Sequence, residues 1–301
     1  MTHIKTLTVY LGSSGRARQP FRAAAERFGH VIGAQGLRLV YGGMDAGLMG
    51  VLAASALKSG AFVTGIIPKK LQDSERILGT LSQTILVEDL WERKKRMFLM
   101  ADAVVSLPGG YGTLDESLEI LYWGKLGLHN KPLVLVNVEH YWDPLVKYLY
   151  RLPDFDPRFL IVVDQVEEIL PALADWNAVP LPAKIPEHLP HFEDEITRAT
   201  RDSLVIDEAN VENSYYAACA LGLKQLARHS RPIGFLNTNG QFDLLLDWFR
   251  LAEQETFITA KCLKLFAAHE NEQMLRAILK NQGAIAIDLH AEKWGPAQKT
   301  T

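Results

Sequence analysis

Short apolar runs rich in β-branched residues alternate with helix-patterned stretches through the first 175 residues of the chain. That alternation is the signature of a parallel sheet flanked by helices. The runs predict strands at Thr6 to Leu11, Leu37 to Tyr41, Phe62 to Ile67, Thr84 to Val87, Ala103 to Leu107, Leu133 to Val136 and Leu160 to Val163. Helices are predicted between them at Pro20 to Ala34, Leu48 to Ser59, Leu90 to Ala101, Thr113 to Leu126 and Pro144 to Leu152. Several strands end directly in glycine-rich turns that open a helix. In doubly wound α/β sheets ligands bind at those carboxyl ends, so the chemistry is expected there.

Beyond this region the pattern lapses into Val-Pro-Leu-Pro-Ala-Lys-Ile-Pro-Glu-His-Leu-Pro, which suits neither a helix nor a central strand and reads as a semi-rigid linker. The expected division is a catalytic unit over residues 1–178, a proline-rich linker over 179–195 and a second, smaller α/β unit over 196–301. Residues 102–150 lie over 202–250 at a constant offset of 100, without a gap. Identical pairs include His129 with His229, Pro132 with Pro232, Asn137 with Asn237 and Asp143 with Asp243. The C-terminal unit therefore reads as a degenerate, truncated copy of the second half of the first. Its expected role is structural: covering a surface, extending an interface or closing the active site.

The formal charge of −3 leaves no basic surface for nucleic acid or an anionic membrane. Cys219 and Cys262 are the only cysteines and fit two buried thiols in a reducing compartment. No apolar run approaches the ~20 residues of a membrane span, and the first is too short for a signal-peptide core. A cytoplasmic protein is expected. Trp91, Trp123, Trp142 and Trp248 read as helix-packing residues, and the histidines show no metal-ligand spacing.

Three segments carry candidate chemistry. In Pro108-Gly109-Gly110-Tyr111-Gly112-Thr113-Leu114-Asp115-Glu116 the glycines let the backbone turn tightly after a strand. Their amides, the Thr113 hydroxyl and the helix N-terminus make an anion pocket suited to phosphate. Glu116, one turn into the helix, can reach back over a ligand on that loop or cap its own helix. Gly42-Gly43 opens a second strand-to-helix turn, and Gly12-Ser13-Ser14-Gly15 a third whose hydroxyls suit a phosphate or ribose. Arg93, in Glu92-Arg93-Lys94-Lys95-Arg96-Met97, shares a helical side with Leu90, Met97 and Met100, at the border of the apolar face. From there it could fork onto a phosphate or hold a carboxylate such as Glu116.

Gly42-Gly43-x3-Gly47-Leu48-Met49-Gly50, Arg93-Lys94-x2-Met97 and Pro108-Gly109-Gly110-x-Gly112-Thr113-x2-Glu116, in this order, resemble the Lonely Guy family of phosphoribohydrolases, long mislabelled as lysine decarboxylases. The resemblance covers roughly residues 4–175. It implies a Rossmann-like fold, a homodimer or larger assembly, no metal or organic cofactor, and hydrolysis of the N-glycosidic bond of nucleoside 5′-monophosphates such as AMP or cytokinin ribotides. By motif, Arg93 and Glu116 are the implied catalytic pair. Gly109, Gly110, Gly112, Thr113, Ser13, Ser14, Gly42 and Gly43 are expected at the phosphate and ribose, and Met49, Lys94 and Met97 toward the base. Leu11-Gly12-Ser13 stands where the family has Cys-Gly-Ser, which keeps the backbone role.

The competing reading is a non-catalytic carrier of a phosphorylated nucleotide or of molybdenum cofactor, built on the same glycine loops. A mere binder needs no carboxylate over the sugar, and Glu116 weighs against it. A lysine decarboxylase would need pyridoxal phosphate and a desolvated Schiff-base lysine, whereas Lys58, Lys69 and Lys70 stand in polar surroundings. In the second copy Gly109, Gly110, Gly112, Thr113 and Glu116 become Ala209, Asn210, Glu212, Asn213 and Tyr216, so phosphate binding is not expected there.

Overall fold

Glycine, proline and capping residues delimit most elements close to where the periodicity puts them. The structure is a computed structural model and describes residues 4–71, 78–177, 185–198, 200, 202–283, 285 and 287. The chain runs β1 (Thr6–Tyr10), α1 (Gln19–Ala34), β2 (Arg38–Tyr41), α2 (Gly47–Lys58), β3 (Phe62–Pro68), β4 (Gln83–Val87), α3 (Leu90–Met100) and β5 (Ala103–Ser106). It continues through α4 (Tyr111–Lys125), β6 (Leu133–Val136), α5 (Asp143–Leu149), β7 (Leu160–Val163) and α6 (Ile169–Asp175), the last not foreseen from the pattern.

The seven strands form one parallel sheet in the order β4-β3-β2-β1-β5-β6-β7. Every residue of β5 and β6 is buried, as strands covered by helices on both faces must be. Leu7 is in register with Leu39 on one side and Ala103 on the other. The chain thus winds outward from β1 in one direction through β4, then returns to β5 and winds the other way. A crevice opens between the carboxyl ends of β1 and β5, the topological switch point. Backbone bonds tie the turns around it: Gly12 N–H donates to Pro108 O at 3.0 Å, and Leu48 N–H to Gly12 O at 3.0 Å.

A second, three-stranded parallel sheet has the order β10-β9-β8. It is built from β8 (Leu204–Ile206), β9 (Ile233–Leu236) and β10 (Phe266–His269), with α7 (Glu193–Ile196) before it. α8 (Val211–Gln225), α9 (Asp243–Gln254) and α10 (Glu272–Lys280) complete this unit. The identical polar residues at offset 100 make the same bonds in both units. His129 Nε2 bonds the Ile120 carbonyl at 2.9 Å and its Nδ1 accepts from Lys131 N–H at 2.9 Å; His229 repeats this with Ala220 and Arg231 at 2.8 and 3.2 Å. Burial pushes His129 down to about 4, so it stays neutral as this bonding requires. Asn137 and Asn237 each donate to the aspartate six residues on, at 2.7 Å. Both turns then place the next residue but one, Glu139 and Asn239, in the left-handed region at φ 54° and 55°.

The two units share one core. The rings of Trp142 and Trp248, both fully buried, stack at 5.5 Å, and Tyr111 meets Phe249 edge-on at 5.4 Å. Trp123 is also fully buried, and both cysteines are buried thiols. Of the expected linker, residues 179–184 lie outside the described residues. The part from Ile185 onward packs on the first unit: the Trp123 indole donates to Pro190 O at 2.8 Å, and His191 stacks on Trp91 at 4.1 Å.

Helices α1 and α2 approach with almost no side chain between them. A Cβ at Gly29 would lie 2.6 Å from both Leu52 O and Ser55 Cβ. Gly29→Ala is therefore expected to cost about 1–3 kcal/mol despite its better helix propensity, read as a lower denaturation midpoint with an unchanged m-value.

Candidate active site

Three glycine turns meet at the switch-point crevice. Gly43 and Gly47 adopt φ of 80° and 49°, where a side chain is strained, and a Cβ at Gly47 would strike the Ser13 and Ser14 backbone at 2.5–2.7 Å. Gly12 lies against Gly109, 3.3 Å separating a Cβ at the former from the Cα of the latter. The Tyr141 hydroxyl donates to Gly109 O at 2.5 Å and pins the last turn from below. These contacts leave a cavity of about 370 Å³, within the usual range for small-molecule sites.

The Gly110–Thr113 stretch lines this cavity at the N-terminus of α4. Leu114 N–H donates to Gly110 O at 3.0 Å, and the Gly112 and Thr113 amides before it belong to the first turn, where a helix leaves N–H groups to a ligand or solvent. Ser13, Ser14 and Met49 also line the cavity. The Ser14 hydroxyl is engaged, donating to Thr256 O at 2.7 Å. Gly42, Gly43 and Gly109 stand behind the lining and act on other groups. A side chain at Gly42 would overlap the Arg93 guanidinium, one at Gly43 would meet Ile67, and one at Gly109 would meet Thr113.

Arg93 and Glu116 both face the cavity, and among the described residues they form no ion pair with one another. Arg93 Nε is buried without a hydrogen-bond partner, as are the hydroxyls of Tyr10 and Tyr41 nearby. Buried polar groups are normally satisfied, so an orphaned one on a cavity-lining residue such as Arg93 points to a polar occupant. Burial pushes the Glu116 carboxyl up to about 7; Arg93 pulls it down while Asp115 pushes it further up.

Lys94, expected toward the base, lines the cavity at 5% exposure. Its Nζ donates to Asp115 Oδ2 at 3.1 Å and to Glu119 Oε1 at 3.0 Å. Tyr215, from α8, donates its hydroxyl to the same Glu119 oxygen. Burial pushes the Lys94 ammonium down, but the two carboxylates outweigh it and hold its pKa well above the ordinary lysine value. Burial raises both carboxyls in turn, Glu119 to about 7. One cation thus faces two carboxylates, and burial disfavours ionising both. Met97 lies in the core at 1% exposure, its carbonyl accepting from Thr8 Oγ1 at 2.7 Å, and does not line the cavity.

The far wall comes from the C-terminal unit. Gly222, Leu223, Leu226 and Arg228 at the end of α8 face the cavity, as does Phe257. Of these contributions, the offset-100 repeat indicates only that a second helix of α4 type exists. The approach of that helix to the glycine loops is a property of the packing.

The family described as possible lysine decarboxylase matches residues 49–173. A relative from Arabidopsis thaliana, named cytokinin riboside 5′-monophosphate phosphoribohydrolase, is 34% identical over 209 residues, covering 69% of this chain and 91% of its own. The chain belongs to the Lonely Guy family. Another Lonely Guy relative, from Oryza sativa subsp. japonica and named probable cytokinin riboside 5′-monophosphate phosphoribohydrolase, is 42% identical over 140 residues. That match covers 46% of this chain, which spans 63% of the rice protein's length. Among solved structures, the molybdenum cofactor binding protein of Rippkaea orientalis matches 58% of this chain and 98% of its own, at 20% identity and a TM-score of 0.47. Among the described residues no helix is long and apolar enough to cross a membrane.

The raised Glu116 carboxyl has a consequence for stability. Its folded pKa of about 7 exceeds the ordinary 4.5, so its contribution is fully present below pH ~4.5 and is lost as pH rises through about 7. Glu116→Gln is expected to stabilise the protein by about 1–3 kcal/mol at pH 8 and by little at pH 4, in paired denaturant titrations. Equal effects at the two pH values would contradict this assignment.

Proposed function

We propose that the protein hydrolyses the N-glycosidic bond of nucleoside 5′-monophosphates, releasing a free base and ribose 5-phosphate. The observation that carries this reading is a cavity at the sheet's switch point, rimmed by the α4 N-terminus, into which Arg93 and Glu116 both project without pairing. The phosphate would seat on the Gly110, Gly112 and Thr113 amides and hydroxyl, where the helix dipole favours negative charge. The sugar would lie beneath Glu116, and Met49 would face the base. Water adds across the bond: its hydroxyl goes to C1′ and its proton to the departing base nitrogen. Positive charge grows on the ribose in the transition state, and an ionised Glu116 stabilises it or orients the water. Arg93, laid against Gly42, would fix the phosphate end or the carboxylate and supply positioning. The relatives' names, which specify cytokinin riboside 5′-monophosphates, support a nucleoside monophosphate substrate. The buried cysteine thiols support a cytoplasmic setting.

The test follows free base by chromatography after incubation with AMP or isopentenyladenosine monophosphate. Release by the wild type and a loss of about 10³-fold or more in Glu116→Gln is expected, the scale of removing a principal electrostatic group. Binding without release would favour the carrier reading instead. Because Glu116 acts ionised, kcat/KM should climb as pH rises through about 7 and then level off.

Gly42→Ala separates positioning from folding. The only atoms an added methyl would overlap belong to the flexible end of Arg93. Activity is expected to fall about 10²-fold while the melting temperature barely moves. A fully active variant would remove Arg93's placement from the mechanism.

A further inference from the structure

The contact between the two units is reciprocal. α4 packs on its own counterpart α8, and α5 on its counterpart α9. Single contacts swap in the same way: Trp142 meets Trp248 at 5.5 Å, while their offset mates Phe242 and Tyr148 meet at 6.5 Å. Glu119 accepts from Tyr215, and the mates Cys219 and Asp115 lie within each other's electrostatic field. A surface that meets its own copy with residues exchanged is the signature of a two-fold dimer interface. Here it is folded into one chain.

The exchange is unequal where it reaches the cavity. At the loop of the second unit, Tyr122 from α4 of the first lies against Glu212, the counterpart of Gly112. In the first unit the mate of Tyr122 is Gly222, which faces the cavity together with Gly112. A Cβ at either Gly222 or Gly112 would meet nothing within 4 Å. One side of the pseudo-dimer is therefore filled by an aromatic ring, and the other is left open by a pair of glycines.

We infer that the C-terminal unit is an internal second subunit that completes the single nucleotide site of the chain, with the end of α8 as its wall and Gly222 as the residue that keeps the site open. This rests on reading the cavity as the nucleotide site. The interface implied by a homodimer is satisfied within one chain here, and a larger assembly must use another surface. Tyr215 has a second part as a positioning residue, holding Glu119 and through it Lys94 beside the catalytic helix.

Equilibrium dialysis of AMP against the full-length protein tests the inference without depending on turnover. Gly222→Leu points into open space and gains helix propensity, so its melting temperature should equal or exceed that of the wild type. Its AMP affinity should nevertheless fall about tenfold or more, because the ligand's room is taken. Leu226→Asp, at a side chain already 39% exposed, is the second variant and should weaken binding in the same direction. Wild-type affinity in both variants overturns the wall while leaving the nucleotide reading intact. Weakened binding in the variants, with no base released by the wild type, upholds the wall and defeats the hydrolase reading. A wild type that binds no AMP at millimolar concentration overturns both.

Discussion

Three stretches of backbone come together at the carboxyl ends of β1, β2 and β5 at separations that exclude side chains. Gly12 against Gly109, Gly47 against the Ser13–Ser14 backbone and Gly42 against the Arg93 guanidinium are all approaches that a Cβ would block. Everything chemical in the molecule is arranged around this meeting. It sets the direction of α4, whose first amides open on the crevice, and it leaves the channel along which Arg93 reaches the cavity. The glycines named by the motifs thus divide into two kinds. Gly110 and Gly112 face the cavity, whereas Gly42, Gly43 and Gly109 make room for other groups of the protein.

Beneath this surface lies a charge cluster that burial makes costly. Lys94 with Asp115 and Glu119 would each carry a desolvation penalty of several kcal/mol as ions, offset only by close pairing. Pairing is incomplete, since Asp115 Oδ1 and Glu119 Oε2 are buried without a partner. Asp115 and Glu119 push the neighbouring Glu116 carboxyl up, while Lys94 and Arg93 pull it down. The cluster therefore helps set the protonation of a residue it does not touch. Tyr215 gives the second unit a bond into this balance.

Much of the arrangement was legible in the sequence because local rules govern it. The predicted strand at Leu133 to Val136 and that at Leu160 to Val163 coincide with β6 and β7, since an apolar run bounded by turn residues has little freedom to shift. The three glycine turns fell at the sheet's carboxyl edge for the same reason. Lys94 also lines the cavity, but its pairing was not legible, because periodicity gives a direction around the helix and not what lies opposite; its partners are 21 and 25 residues away on another helix. Met97 shares the motif with Arg93, yet it points into the core under β1. The α8 wall was beyond reach for a related reason: a repeat shows that two helices are alike, while their mutual docking depends on tertiary packing of Trp142, Trp248 and Tyr111.

The short second sheet stops at β8, which has β9 on one side and no strand on the other among the described residues. In the first unit the crevice exists because β5 has β1 beside it, and the turn after each strand forms one lip. The second unit has a single lip. Restoring glycines at Ala209, Asn210 and Glu212 would rebuild a loop but not the opposite bank. The loop before α8 accordingly has no ligand of its own to hold, while the end of α8 faces the cavity of the neighbouring half. A division of labour between two like halves thus follows from β8 having no second neighbour among the described residues.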